Sequence, residues 1–237
     1  MAATPISRRA RSPILSSNPT SYEYKNGGEL ILDPSPCNYA PGALKSLSDG
    51  VTTDDIGRVI AADGKIYATA GAARNKGTTP LAMIAYVGAA TCNRGLAIAL
   101  NSVSDKDLSW DNSKADNNGK TAAEWISEWA STRSVSFGTW RMPTVDDCKY
   151  ILQGCGGDAY SASTVHNQHL SYGSLDTKLS DCGAERFITG TCWWTSSEVD
   201  SGHAWVLYFV NSAYQAFCYF QGIFKTSTYK VRAVLAF

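Results

Sequence analysis

"AWVLYFVNSAYQAFCYFQGIF", residues 204–224, has no charged side chain and carries eight aromatic residues in 21 positions of a 237-residue chain. Three readings compete for it: a membrane anchor, a pair of core strands, or a surface that touches another molecule. About 20 apolar residues suffice to span a bilayer, so length permits the first. Asn211, Ser212, Gln215 and Gln221 interrupt the run, however, and aromatic rings favour the bilayer interface over its hydrocarbon centre. No membrane insertion is expected. Apolar residues at alternate positions mark 205–210 as a strand, with Trp205, Leu207 and Phe209 facing inward. Beyond Val210 the sequence "NSAYQAFCYFQGIF" fits no single strand period. Tyrosine gives large, fairly rigid contact area at low entropic cost, and Ser, Gly and Asn add adaptable polar contacts, as in binding loops. That composition favours a contact surface over a plain core hairpin.

The rest of the chain narrows the function classes. Lys+Arg and Asp+Glu both number 21, so the net charge is zero, which leaves no electrostatic footprint for nucleic acid or an anionic membrane. With 44% apolar and 18% charged residues, the composition is globular, and the length allows one large domain or two small ones. "MAATPISRRARSPILSSNPTS" has basic residues but no apolar segment of the secretory kind, so synthesis in a cytoplasm is expected. The seven cysteines are odd in number and dispersed, with no Cys-x-x-Cys pair. Reduced, buried thiols are the expectation, rather than a zinc centre built from closely spaced pairs.

Residues 1–45 read as an arm or linker, with Glu29–Asp33 a short strand candidate, and 46–237 as the folded domain. "GRVIAADGKIYA" is a hairpin candidate turning at Asp63-Gly64. "PLAMIAYVG" and "GLAIALNSV" read as buried strands, followed by a long polar loop. Two helices come next. Thr121 and Glu124 form a capping box ahead of Ala122, Trp125, Ile126, Trp129 and Ala130 on one face. Thr144 caps the second, with Val145, Cys148, Ile151 and Leu152 inward and Gly156-Gly157 as its stop. Residues 158–190 read as polar and irregular, and "YKVRAVLAF" as a final strand. The order predicts an α+β fold of two helices on mainly antiparallel sheets with irregular insertions.

Candidate chemistry is thin. His166 and His169 are three apart, a spacing that suits one metal ion, but two further ligands are required, and Asp176, Asp181 and Cys182 are only near in sequence. A solvated loop is the better reading, with no metal and no cofactor expected. His203, Cys218 and the acids Glu198 and Asp200 have the residue types of a Cys-His-acid triad, which geometry alone can establish. Cys218 sits among aromatics with no cation beside it, and such surroundings raise a thiol pKa. "GCGGD" (154–158) follows a helix and lacks the Lys of a phosphate loop. No catalytic residue is assigned.

Three landmarks, in order, carry a resemblance. "WRMPTVDDCKYILQGCGG" (140–157) is similar to the "RLPT…EW" helix of the formylglycine-generating-enzyme-like branch of the C-type lectin fold. "CWWTSSEVDSGHAW" (192–205) resembles the "YWSSSE…AW" stretch of related bacterial lectin-like domains, and "YKVRAVLAF" their closing "VRAV" strand. Together they span about 100 residues. Within that branch the chain most resembles the variable proteins of diversity-generating retroelements, many of them carried by phages and gut bacteria. In that group a segment before the last strand is rewritten by adenine-directed mutagenic reverse transcription, and the varied side chains lie on an exposed ligand-binding face.

The resemblance implies a variable region at about 203–224, with contacting positions His203, Val206, Tyr208, Val210, Tyr214, Ala216, Cys218, Tyr219, Gln221 and Ile223. It implies a non-enzymatic binding protein presenting a hypervariable face to a cell-surface receptor, protein or glycan. A phage tail-fibre tip docked through its N-terminus, trimeric and in the virion, fits the absent leader; an adhesin on the bacterial cell surface suits the same domain. The redox cysteine pair of the formylglycine-generating enzymes is reduced here to Cys218, with Cys192 well upstream, and the "EPN" and "WND" calcium motifs of animal lectins are absent. Two alternatives remain open: a lectin-fold oxidase-like enzyme, and a structural virion subunit that oligomerises through the aromatic segment.

Overall fold

The computed structural model describes residues 22–25, 29–32, 44–88, 95–158, 169–187, 190–211 and 216–237. The chain divides into two units, Met1–Ala43 and Leu44–Phe237. In the first, β1 (Tyr22–Lys25) pairs antiparallel with β2 (Glu29–Leu32). Both strands fall within the segment 1–45 read as an arm or linker, and β2 coincides with the strand candidate at Glu29–Asp33.

In the second unit β3 (Val59–Ala61) and β4 (Ile66–Tyr67) flank Asp63-Gly64, and Gly64 has φ 74°. A short helix α1 (Ala70–Asn75) precedes the long strands β5 (Pro80–Val87) and β6 (Gly95–Ala99). Next come β7 (Leu108–Ser109), α2 (Ala122–Ser131), β8 (Thr139–Arg141), α3 (Val145–Gly154) and α4 (Leu175–Cys182). The chain closes with β9 (Cys192–Glu198), β10 (His203–Asn211), β11 (Ala216–Phe224), β12 (Thr228–Tyr229) and β13 (Val234–Ala236). One sheet runs β4-β3-β5-β6-β13-β8, a second β11-β10-β9, and β12 pairs with β7. All these pairings are antiparallel, so the fold is α+β.

Both expected helices form where the caps placed them. Thr121 accepts from the Glu124 amide while the Glu124 carboxylate accepts from the Thr121 amide at 2.7 Å. In α3 the same box joins Thr144 and Asp147, and Arg141 grips Asp147 with both terminal guanidinium nitrogens. Gly154 does more than end the helix. A Cβ there would sit 2.2 Å from the Ala85 carbonyl oxygen, so α3 lies directly on the backbone of β5. The polar loop before α2 folds around buried Asn117. Its side-chain amide donates to the carbonyls of Ser109, Asp111 and Lys120, and its oxygen accepts from the Ser109 amide.

Two elements depart from the reading of the sequence. Helix α4 occupies part of the region read as irregular; Leu175, Leu179 and Cys182 follow helical spacing and are buried, and Gly183 stops it at φ 81°. β11 is a regular strand within "NSAYQAFCYFQGIF". Cys218 and Phe220 are buried and Phe217, Tyr219 and Gln221 are half-buried. Its alternation is hidden because both faces carry aromatic rings.

The β9-β10-β11 sheet lies between two apolar clusters. On one face Trp193, Leu207, Phe209 and Phe220 pack with Cys148, Ile151 and Leu152 of α3 and Leu175 and Leu179 of α4. On the other, Cys192, Trp194, Ala204 and Val206 pack with Leu108, Ile126 and Val231. Fully burying an aliphatic or Phe side chain contributes about 1.5–3 kcal/mol, so the first face anchors the sheet firmly. The Trp194 indole donates to the Leu108 carbonyl at 2.8 Å and meets Tyr229 edge-on. That second cluster covers the β9 side of its face and thins out towards β11.

Candidate functional site

In the β10–β11 ladder Tyr208 lies opposite Tyr219, Val210 opposite Phe217, Val206 opposite Gln221 and Ala204 opposite Ile223. Side chains directly opposite share a face, and successive residues alternate. The intervening pairs Leu207–Phe220, Phe209–Cys218 and Trp205–Gly222 therefore point the other way, into the first cluster. Leu207 and Phe209 are buried and Trp205 is partly buried there, as their spacing predicted.

Away from β9, the Tyr208 face is open. Tyr208, Val210, Phe217, Tyr219, Gln221 and His169 line a broad hollow of about 560 Å³. Its floor is aromatic: Tyr208 and Tyr219 have ring centroids 5.0 Å apart, and His169 stacks on Phe217 at 3.9 Å. Phe217 and Tyr219 lie 6.2 Å apart in near-parallel planes. Partial burial raises the Tyr219 phenol pKa, and the neighbouring Tyr208 adds to it, so the hydroxyl keeps its proton at neutral pH and stays a hydrogen-bond donor. Among the described residues no carboxylate or ammonium lines the hollow. Rings offering apolar faces with a wet polar edge are common in contact surfaces.

The ten candidate contact positions divide accordingly. Tyr208, Val210, Tyr219 and Gln221 come together in the hollow, and Ile223 follows on the same face, packed against the second cluster. Val206 shares the face but is fully buried beneath that cluster, which corrects its assignment as a contact. Cys218 is also corrected: it points inward, is fully buried, and its thiol approaches the Leu170 carbonyl at 3.6 Å. His203 lies opposite Phe224 at the far end of the ladder, and its alternation sets it with Trp205 rather than Tyr208. The backbone of Ala216 pairs with Asn211, and Tyr214 lies outside the described residues. Phe217 and His169 were not assigned as contacts. Counting back two from Tyr219 finds Phe217; nothing local places His169, which arrives through the Leu170–Cys218 bridge.

Among the described residues the other constellations do not assemble. Cys218 lies six positions along β11 from Phe224, the partner of His203, roughly 20 Å at strand rise. Burial pushes the Cys218 thiol up to about 12. His203 instead meets Asp200, Nδ1 to carboxylate 2.8 Å, and that hydrogen bond holds the Asp200 carboxyl below its usual range. Glu198 pairs with Lys225 at 2.7 Å. Of the metal candidates, His166 lies outside the described residues, His169 stacks on Phe217, and Asp176 is held by Arg186. Burial raises the Cys182 thiol. Among the described residues no three His, Cys, Asp or Glu side chains form a metal-binding group, and no helix is long and apolar enough to cross a membrane.

Fold and site together define an α+β protein with an open aromatic sheet face backed by a packed core. No family model matches the chain, and no curated protein matches it. Among solved structures, a fimbrial protein from Bacteroides ovatus ATCC 8483 is similar at TM-score 0.48 and 13% identity, over 77% of this chain and 48% of that one. The chain thus spans about half the length of that protein, and similarity of this degree defines neither a family nor a function.

Proposed function

We propose that this chain is a non-enzymatic ligand-binding protein of the C-type lectin-like class, whose β10–β11 face is the segment diversified by a retroelement. One observation carries the reading: Tyr208, Val210, Phe217 and Tyr219 form an open aromatic face on strands whose opposite face is buried. Side chains on such a face can be exchanged without disturbing Leu207, Phe209 and Phe220 beneath them, because a strand sends its neighbours to opposite sides. A segment selected for contact accounts for rings where a solvated strand would carry charges. The ligand is a surface receptor of a target cell, and the protein stands on a phage tail fibre or on a bacterial surface.

The neighbouring DNA tests the diversification. A reverse transcriptase gene and a near-copy of the 3′ end differing only at adenines are expected; finding neither refutes it. The rival reading, an oligomer interface, is tested by replacing Tyr214, Tyr219 and Ile223 with Ala and measuring mass in solution. Loss of assembly with the fold intact assigns the face to subunit contact and removes the receptor reading.

A further inference from the structure

A second hollow, of about 550 Å³, opens between the C-terminal ends of α1 and α2 and shares no lining residue with the aromatic face. Its volume falls within the range of small-ligand sites. Its floor includes Leu81, Leu100 and Val103, all buried core residues. Arg74 and Arg133 line it as well.

Each arginine has an ordinary structural use, because a cation at a helix C-terminus complements the macrodipole. That use accounts for Arg133 only in part. One guanidinium nitrogen donates to the Trp129 carbonyl and to the Thr132 hydroxyl, and the group lies 4.3 Å above the Trp129 ring. These contacts fix its plane, and among the described residues no hydrogen bond occupies its other N–H groups. Arg74, in the last turn of α1, has no ion pair among the described residues.

Between them the wall is hydroxyl-rich. Thr79, Ser102, Ser104 and the amide of Asn101 line the hollow. The Ser102 Oγ is buried and has no hydrogen-bond partner among the described residues. Buried to that degree the hydroxyl does not face the open hollow, which Ser102 lines through its other atoms. Asp105 also lines the hollow, and Glu185 stands behind it, its carboxylate accepting from the Ser102 amide at 2.7 Å. Two guanidinium groups against the lining Asp105 leave one net positive charge. That balance suits a monoanion and opposes a phosphate dianion, while a carboxylate beside the site accepts ligand hydroxyls.

We propose that this hollow binds a small polyhydroxylated monocarboxylate, its carboxylate held by Arg74 and Arg133 and its hydroxyls by Ser104, Asn101 and Asp105. Guanidinium matches a carboxylate in a planar, two-point geometry. Isothermal titration of the full chain with D-glucuronate, D-glucose and inorganic sulfate tests it. Saturable glucuronate binding is expected, weakened about tenfold or more in Arg74→Gln and in Arg133→Gln, with no detectable glucose binding. If Arg133→Gln fails to fold, exposed Arg74 carries the test alone. Loss of glucuronate binding in a Tyr208→Ala, Tyr219→Ala variant overturns the proposal by moving the ligand to the aromatic face. So does glucose binding as tightly as glucuronate, or sulfate matching it, or indifference to both arginine changes. Methyl β-D-glucuronide, which keeps the carboxylate and blocks the anomeric hydroxyl, tells the source: retained binding indicates a chain-terminal residue, lost binding the free monosaccharide, and either upholds the site.

Discussion

Tyr208 and Tyr219 face each other across the β10–β11 pair with ring centroids 5.0 Å apart, while one residue further along Phe209 and Cys218 face each other on the buried side. Two adjacent cross-strand pairs thus do opposite work. The tyrosines present surface; their neighbours hold the sheet to α3 and α4.

That division predicts unequal costs for equal-sized truncations. Phe209→Ala leaves a cavity among Trp193, Phe187 and Tyr172, the rings it touches, and is expected to cost about 3–5 kcal/mol. Tyr219→Ala removes a half-exposed ring and one cross-strand pair, about 0.5–1.5 kcal/mol. Urea denaturation of the two variants measures the gap. Equal losses refute the view that one face is exchangeable and the other structural.

Gly154→Ala tests the seat of α3. The added methyl would meet the Ala85 carbonyl oxygen at 2.2 Å and the Tyr86 Cα at 2.9 Å. Both are backbone atoms of β5 and cannot rotate away. Helix propensity alone favours Ala over Gly by about 1 kcal/mol, yet a loss of about 1–3 kcal/mol is expected, because overpacking outweighs propensity. A stabilised Gly154→Ala protein would show that α3 stands off from β5.

The helices were legible because each announces itself locally, with Thr121–Glu124 and Thr144–Asp147 capping boxes ahead of apolar stripes. The hairpin at Asp63-Gly64 was legible for the same reason. β11 was not, since Phe217 and Tyr219 are as hydrophobic as the Cys218 and Phe220 between them, and period-2 reading needs a polar face. Within the site, Tyr208 and Val210 were placed by counting from the inward Leu207. Val206 obeys the same parity, but Trp194 and Leu108 cover it from elements distant in sequence, and no local pattern reports that. Cys218 was misplaced because its partner strand, and hence its parity, depended on a register set across the hairpin.

The thiols predict a pH dependence with a definite sign. Burial pushes Cys155, Cys192 and Cys218 up to about 12, and Cys148 upward as well. An unfolded chain loses these protons near pH 9, whereas the folded one keeps them, so from pH 9 towards 12 the unfolded state binds fewer protons. Stability therefore falls as pH rises through that window, by up to about 1.4 kcal/mol per pH unit for each such thiol. Urea midpoints at pH 8, 9 and 10 should decline, and Cys218→Ala should decline less steeply from its own starting value. At neutral pH the same shift leaves about one Cys218 in 10⁵ as thiolate, so iodoacetamide should not label it before unfolding. Fast labelling at Cys218 in the native protein would reopen the nucleophile reading.

Arg232, within the "VRAV" stretch, connects the chain's end to the exposed face. It is almost wholly buried, and burial lowers its pKa to about 10, leaving it charged at neutral pH. Its guanidinium donates to the carbonyls of Ala99, Leu100 and Glu185 at 2.7–2.9 Å and lies 4.9 Å over the Trp193 ring. Trp193 in turn packs edge-on against Phe209 at 5.4 Å and lies opposite Leu207. One side chain thus ties the exit of β6, the segment after α4 and the β9–β10 sheet. Arg232→Met preserves much of the packing volume but leaves the carbonyls of Ala99, Leu100 and Glu185 without this donor, and a buried acceptor left unsatisfied costs about 1–3 kcal/mol. Arg232→Lys can restore a single donor group and should lose less. The informative measurement is amide exchange in β10 and β11 for Arg232→Met at a temperature where it remains folded. Faster exchange at Leu207 and Phe209 than in α2 is expected, since α2 packs on the other cluster. Uniform acceleration would mean that Arg232 stabilises the domain without specifically holding the sheet that presents Tyr208 and Tyr219.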